Sequence, residues 1–193
     1  MSERTPNRRK NLRLPTYDYR QPGAYFITIC THDISNLFGR VIDTKVELNP
    51  LGEIVREEWV KTAEIREQVR LDAFVVMPNH FHGILLIDAI DPTERHGVPS
   101  VATHRVAGTG DGPQRRRGPA KGSVGSIVGQ FNSQSARRIN LRRGTPGASV
   151  WKRNYYEHVV RSDRSLERIR EYIDGNPAKW TEVRYYVEAT LRA

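Results

Sequence analysis

The sequence of 193 residues contains one cysteine, Cys30, so no disulfide can form within the chain. This favours a reducing compartment, and we expect a cytoplasmic protein. No apolar run approaches the roughly 20 residues that a membrane-spanning helix needs. The basic N-terminus is not followed by an apolar segment, so we also expect no secretory signal. The length of 193 residues predicts one domain, with or without appendages, that is long enough to bury a core.

Acidic residues are absent from residues 112–156, although the chain has 22 aspartates and glutamates against 31 lysines and arginines, a net charge of +9. Segregated positive charge favours a polyanion, most often nucleic acid. The alternatives are a solubilising surface and an anionic membrane, although no amphipathic anchor is evident. The candidate nucleic-acid contacts in this stretch are Arg115, Arg116, Arg117, Lys121, Arg137, Arg138, Arg142, Arg143, Lys152 and Arg153.

Hydrophobic periodicity divides the chain into alternating strands and helices. Residues 1–20 form a basic arm, expected to be mobile, residues 89–122 a long loop or partly disordered insertion, and residues 183–193 a tail. The predicted strands are "AYFITICTH", "LDAFVVM", "HFHGILLID" and "SVWKRNYYEHVVR", with a short hairpin at "LFGRVIDTKVELN". The predicted helices follow Asn49-Pro50, follow Ser123, and span "SDRSLERIREYIDGNPAKW". The order β-α-β-β-α-β-α predicts an α+β protein with an antiparallel four-stranded sheet of ferredoxin-like, RRM-like type.

Two histidines one residue apart interrupt an apolar strand in "MPNHFHGILL". Residues i and i+2 of a strand point to the same face, so His80 and His82 lie side by side while Phe81 points into a packed layer. Two neutral imidazoles can share one divalent metal. The alternative is a structural pair, which is the commoner outcome for an isolated motif of this length.

A distant segment, "EYIDGN", could complete the site. Tyr172 and Asn176 are spaced i and i+4, so they project from the same face of a helix. The Asn176 amide oxygen could add a third ligand, and two nitrogens with one oxygen and open positions suit Mg²⁺ or Mn²⁺ on a phosphate. The alternatives are a packed aromatic ring at 172 and a helix C-cap at 176, before Pro177.

The combination of these motifs resembles the HUH single-tyrosine transposases, in particular the REP-associated tyrosine transposases. "MPNHFHGILL" is similar to their metal-binding strand, "WKRNYYEHVVR" to their fourth strand, and "ERIREYIDGNPAKW" to their catalytic helix. "GAYFITICTHD" is similar to the first strand of that family. The resemblance extends over residues 17–180, with the insertion outside it, and implies one HUH endonuclease domain over residues 21–182.

The resemblance implies a metal-dependent DNA strand transferase. Tyr172 would attack a DNA phosphodiester and form a 5′-phosphotyrosine intermediate. His80, His82 and Asn176 would hold Mg²⁺ or Mn²⁺. The expected substrate is single-stranded DNA with hairpin, REP-like elements, and the protein would act as a monomer or homodimer without a membrane partner.

Two other functions stay open on the sequence. One is an HUH nickase of the replication or relaxase type, although such proteins usually carry further regions. The other is a non-catalytic module that binds single-stranded nucleic acid, for which Trp151, Tyr155 or Tyr156 could stack bases or pack in the core. Tyr155 and Tyr156 are also rival nucleophiles, but neither has a metal-type partner at i+4.

Overall fold

A computed structural model describes residues 17–89 and 119–180, which form nine regular elements. In chain order they are β1 (Gly23–Cys30), β2 (Gly39–Ile42), β3 (Lys45–Leu48), α1 (Pro50–Glu64), β4 (Val69–Met77), β5 (His80–Ile87), α2 (Val124–Arg143), β6 (Tyr156–Val160) and α3 (Asp163–Asp174).

Four strands form one antiparallel sheet in the order β4-β5-β1-β6. The hairpin of β2 and β3 stands apart, and its turn residues Asp43 and Thr44 both have positive φ, as a two-residue type I′ turn requires. The protein is therefore α+β, with a four-stranded antiparallel sheet and three helices in the described residues. The predicted element order is confirmed, and the hairpin is present as expected.

Helices α1 and α2 begin where the sequence predicts, and Asn49 and Ser123 cap them. The Asn49 side chain accepts hydrogen bonds from the amides of Leu51 and Gly52 at 2.9 and 3.0 Å, while Pro50 occupies the first turn, where no amide is needed. Ser123 caps α2 in the same way, and α2 ends at a left-handed glycine, Gly144.

The sheet has two different faces because side chains alternate along its strands. On the first face, Trp59 of α1 and Phe131 of α2 pack against Phe81, with ring centroids 4.7 and 5.4 Å from it. On the second face, α3 packs through Ile173 against Phe26 and Ile84. Helix α3 thus covers the face toward which the histidines point.

Gly83 allows α1 to approach the histidine strand closely. A Cβ at this position would lie 2.9 Å from the Trp59 ring and 2.7 Å from the Phe81 ring, closer than side chains tolerate. A larger residue would therefore push β5 away from α1 and disturb both histidines.

The fourth strand of the sheet is shorter than the sequence predicts. Trp151 bridges to Thr31, and strand pairing resumes only where Tyr156 meets Thr28. Four residues, 152–155, therefore face only Ile29 and Cys30 on β1. The two extra residues bulge out of the sheet, and the strand begins again at Tyr156.

Two tyrosines near the end of the predicted arm pack against the folded core. Tyr17 and Tyr19 pack against Tyr25, and the amide of Val124 donates to the Tyr19 carbonyl at 3.0 Å. Residues 1–16, most of the predicted insertion and residues 181–193 lie outside the described residues. Within the described ranges, no helix is both long and apolar enough to cross a membrane.

Candidate active site

The two histidines lie side by side on β5 and are almost fully buried. Their rings point to the second face, with centroids 4.6 Å apart and planes at 72°. His82 stacks on Phe26 at 5.5 Å, and His80 stacks on Trp180 at 6.0 Å. The aromatic neighbours on both sides hold the pair in a confined, largely apolar surrounding.

Asn79 determines which nitrogen of His80 carries the proton. The Asn79 amide nitrogen donates to the Ile34 carbonyl at 3.0 Å, which directs the amide oxygen to His80 Nδ1 at 2.8 Å. An amide oxygen can only accept, so Nδ1 donates and Nε2 keeps its lone pair. Ile34 has a φ of 63°, a strained conformation for a β-branched residue, and this strain is offset by the contacts of its loop.

His82 has a polar neighbour at each ring nitrogen. Thr28, its partner in the strand register, places its hydroxyl oxygen 2.8 Å from Nδ1. The Tyr172 hydroxyl lies 3.3 Å from Nε2. The Thr28 hydroxyl can accept from Nδ1, which leaves the Nε2 lone pair directed at Tyr172.

Both imidazoles are neutral at neutral pH because of their burial. Burial lowers the pKa of His80 to about 4, and the neighbouring Asn176 side chain acts in the opposite direction with a smaller effect. Burial, and then the nearby His80, lowers the pKa of His82 well below its usual value. A neutral imidazole is the form that binds a metal ion.

Tyr172 lies on α3 at the mouth of this pocket and is 47% exposed. Its ring meets Phe26 edge-on at 6.0 Å and His82 at 5.2 Å. The ring is therefore packed on one side, while the hydroxyl lies at the histidine pair. The structure brings the predicted nucleophile and the predicted metal ligands together within one chain.

A bidentate ion pair fixes α3 to the sheet. The Arg170 guanidinium donates to both carboxylate oxygens of Asp72 on β4, at 2.6 and 3.0 Å. The hydrogen bonds with Arg170 lower the pKa of Asp72, and the same pair raises the pKa of Arg170. Such a fork restrains the rotation of the helix as well as its distance from β4.

The sequence predicted Asn176 within the last helix, but the structure places it just beyond α3. The helix ends at Asp174, Gly175 caps it, and the amide of Asn176 donates to the Ile173 carbonyl at 3.2 Å. The residue before a proline is disfavoured in helical conformation, and Pro177 follows. Asn176 is nevertheless buried, and its side chain lies close enough to His80 to influence the pKa of that ring.

These donors fit a single divalent cation. The Asn176 amide oxygen is buried without a regular hydrogen bond to any described residue, an arrangement that costs about 1–3 kcal/mol unless a cation compensates it. No cluster of three histidine, cysteine or carboxylate side chains occurs in the described ranges, so the third ligand would be this amide. Two imidazole nitrogens and one oxygen leave coordination positions open for a substrate.

No family model matches the sequence. A protein of Haemophilus influenzae, described as uncharacterized, is 37% identical over 186 residues, which span 93% of this chain and 94% of that protein. The chain belongs to the family of this Haemophilus protein. A solved structure of a REP-associated tyrosine transposase bound to a REP hairpin has a TM-score of 0.53, with 18% identity, and the match covers 95% of this chain and 77% of that one. At this identity the likeness shows a shared fold.

In this member of the Haemophilus family, helix α2 carries most of the basic residues that were predicted to contact nucleic acid and that lie in the described ranges. It packs on the first face, so they lie across the sheet from the histidines. Arg138 forms ion pairs with Glu57 and Glu58 at 2.6 and 2.7 Å, which raise its pKa and neutralise its charge. The candidates before and within α2 are Lys121, Arg137, Arg138, Arg142 and Arg143.

Lys152 and Arg153 lie at the histidine end of the sheet. The amide of Lys152 donates to the Cys30 carbonyl at 2.9 Å, and Cys30 is the strand partner of His80. Both basic side chains are exposed. The remaining candidates, Arg115, Arg116 and Arg117, lie outside the described residues.

Sequence reasoning did not single out Thr28, Asn79, Asp72 or Trp180. The sequence placed Asn79 in a turn, which is correct, but a turn motif does not predict its hydrogen bond to His80. Thr28 could be assigned to the histidine face only with the register between β1 and β5, which depends on the folded sheet.

Proposed function

We propose that the protein is a metal-dependent endonuclease and strand transferase for single-stranded DNA, of the HUH single-tyrosine type. The observation that carries this proposal is the 3.3 Å separation between the Tyr172 hydroxyl and His82 Nε2, beside a second buried, neutral histidine. The strand order β4-β5-β1-β6 and the helices on both faces support an HUH fold of ferredoxin-like type. The fold shared with a REP-associated tyrosine transposase supports DNA as the substrate.

Each residue has a distinct task in the proposed reaction. The Tyr172 oxygen attacks the phosphorus in line, a bond forms between them, and the bond to the 3′-oxygen breaks. The phenolic proton leaves to solvent through the exposed mouth, and the departing 3′-oxygen takes up a proton. A later 3′-hydroxyl attacks the phosphotyrosine, which restores Tyr172 and joins two strands without ATP.

The surrounding residues prepare the histidines for this task. Asn79 and Thr28 hold the two rings in place, and Trp180 covers His80. A divalent cation bound by His80, His82 and Asn176 would polarise the scissile phosphate and neutralise developing charge. Mg²⁺ and Mn²⁺ suit a phosphate substrate, and the two imidazole ligands favour Mn²⁺ of the two.

We propose a DNA hairpin with flanking single strand as the substrate. The structure that shares this fold is described as bound to a REP hairpin. Two exposed basic residues, Lys152 and Arg153, lie at the histidine end of the sheet. Such residues contact backbone phosphates without reading the sequence.

A gel assay for a covalent protein–DNA adduct tests the proposal. The protein is incubated with a labelled hairpin oligonucleotide and Mn²⁺, then denatured, and an adduct that migrates with the protein is expected. Tyr172→Phe abolishes this adduct, whereas the matched variant Tyr156→Phe retains it. EDTA removes the activity. An adduct that persists in Tyr172→Phe or in EDTA contradicts the nucleophile or the metal role, respectively.

A further inference from the structure

A groove runs along the second face of the sheet from Tyr172 to the outer edge of β6. It consists of a cavity of about 360 Å³ beside Tyr172 and one of about 530 Å³ around the edge strand. Both cavities are lined by Tyr156, His158, Ser165 and Arg168. They therefore form one open groove, and each is of the size, about 300–1,000 Å³, that ligand clefts have.

The position of Tyr156 suits stacking of its ring on a nucleic-acid base. In the strand register it lies opposite Thr28, which lies opposite His82, so two strand spacings, roughly 10 Å, separate Tyr156 from the histidine. Its ring contacts Phe26 edge-on at 6.4 Å, and 43% of the residue is exposed. A partly held aromatic ring near a reacting phosphate is a suitable platform for a neighbouring base.

Arg168 is placed to meet a phosphate. It lies one helical turn before Tyr172, on the same face of α3. Arg170, two residues on, is held by Asp72 and Glu167, but Arg168 forms no ion pair with any residue in the described ranges. No carboxylate of the described residues lines the inner cavity, and Glu157, which lines the outer one, is buried.

We propose that this groove binds the single-stranded DNA adjoining the scissile phosphate, with a base stacked on Tyr156 and a backbone phosphate on Arg168. The position relative to the cleavage site depends on the proposed function, whereas the binding itself does not. The occupant is an unpaired strand and not the hairpin stem, because bases paired within a stem do not offer a free face to Tyr156.

Binding of a fluorescein-labelled oligothymidylate, measured by anisotropy in EDTA over a range of salt concentrations, tests the groove without any chemistry. Arg168→Gln should reduce the slope of log affinity against log salt by about 0.7, the value for one phosphate contact on a single strand. Tyr156→Ala should weaken binding about tenfold without changing that slope, because stacking releases no counterion.

Three further variants control for the possibility that Arg168→Gln or Tyr156→Ala weakens binding by disturbing the fold. Tyr156→Phe and Arg168→Lys should keep the wild-type affinity, since they retain the ring and the charge. Arg40→Gln removes an exposed arginine from the β2–β3 hairpin, outside both cavities, and should leave the slope unchanged.

The outcomes distinguish a failure of the proposed DNA-binding groove from a failure of the proposed transferase activity. If Arg168→Gln and Tyr156→Ala bind with wild-type affinity and slope, the groove is not the DNA site, even where the hairpin adduct forms. If both weaken as expected while wild-type protein forms no adduct with Mn²⁺, the groove stands and the proposed transferase activity fails.

Discussion

Asn79 and His80 are consecutive residues, and their contact illustrates how a single side chain can orient a candidate metal ligand. The Asn79 oxygen faces Nδ1 because its amide nitrogen is bound to the Ile34 carbonyl. The His80 Nε2 lone pair is thereby available on the side of Asn176. Partners of this kind orient the ligand ring, and their loss typically costs 10–100-fold in metal affinity.

Asn79→Ala should therefore weaken Mn²⁺ binding by about 10–100-fold. In metal-free protein, ¹⁵N NMR should show that the His80 ring no longer carries its proton on Nδ1 alone. An unchanged tautomer in Asn79→Ala would show that another group orients the ring.

The buried histidines should also make metal-free stability depend on pH. Unfolded histidine titrates near pH 6.5, but the folded pKa of His80 is about 4. Between these values the unfolded chain binds more protons, so stability is fully present above about pH 6.5 and falls as the pH decreases toward 4. Each such histidine contributes about 1.4 kcal/mol per pH unit.

Urea unfolding of metal-free protein across this pH range measures the effect. His80→Gln should make stability depend less steeply on pH, because one buried histidine no longer takes up a proton on unfolding. Equal pH dependence in wild type and His80→Gln would contradict the neutral, buried state of His80.

Helix α3 is the element that brings Tyr172, the candidate nucleophile, to the histidines. Its apolar residues pack on Phe26 and Ile84, and Arg170 binds Asp72 through two hydrogen bonds. Asp72 is largely buried, so this pair contributes more than a surface salt bridge does. The position of Tyr172 therefore depends on β4 as well as on the histidine strand.

Asp72→Asn should destabilise the docking of α3 by about 1–3 kcal/mol, because Arg170 loses its charged partner. Hydrogen exchange of the α3 amides should accelerate, and adduct formation should slow. The matched control is Glu167→Gln, which removes the exposed partner of the same arginine and should cost at most about 1 kcal/mol. Equal effects of the two variants would show that the Asp72 pair does not anchor the helix.

The sequence predicts most of the helices and strands correctly, with one local error at the start of β6 and one at the end of α3. Capping residues and periodicity place α1 and α2 correctly, since the signals lie within each helix. The start of β6 depends on a bulge opposite β1, and the end of α3 depends on a turn before Pro177, so both needed tertiary information. The shared face of the two histidines was predictable because residues i and i+2 of a strand point the same way, whereas the position of Tyr172 beside them depends on how α3 packs on the sheet.

The whole molecule contains its candidate site within one chain. Tyr172 and His82 come from the same polypeptide and lie in hydrogen-bond contact. Basic residues lie on both sides of the sheet, but Arg138 is neutralised by Glu57 and Glu58. We therefore expect a DNA strand at the candidate site to contact the cations at the histidine end and in the groove, and not those of α2.

A mixture of Tyr172→Phe and His82→Ala protein tests this arrangement in the adduct assay. Each variant lacks one part of the site, and neither can supply the other when both parts must come from one chain. The mixture should form no adduct above the level of its components. Recovery of activity would show that two chains exchange α3 and share their sites.

The most direct measurement is the mass spectrometric identification of the residue that becomes linked to DNA. Wild-type protein is reacted with a hairpin oligonucleotide and Mn²⁺, and then digested with nuclease and protease. The account predicts a nucleotide attached through a 5′-phosphate to Tyr172. Attachment to Tyr155 or Tyr156, or DNA binding without any covalent product, would contradict it.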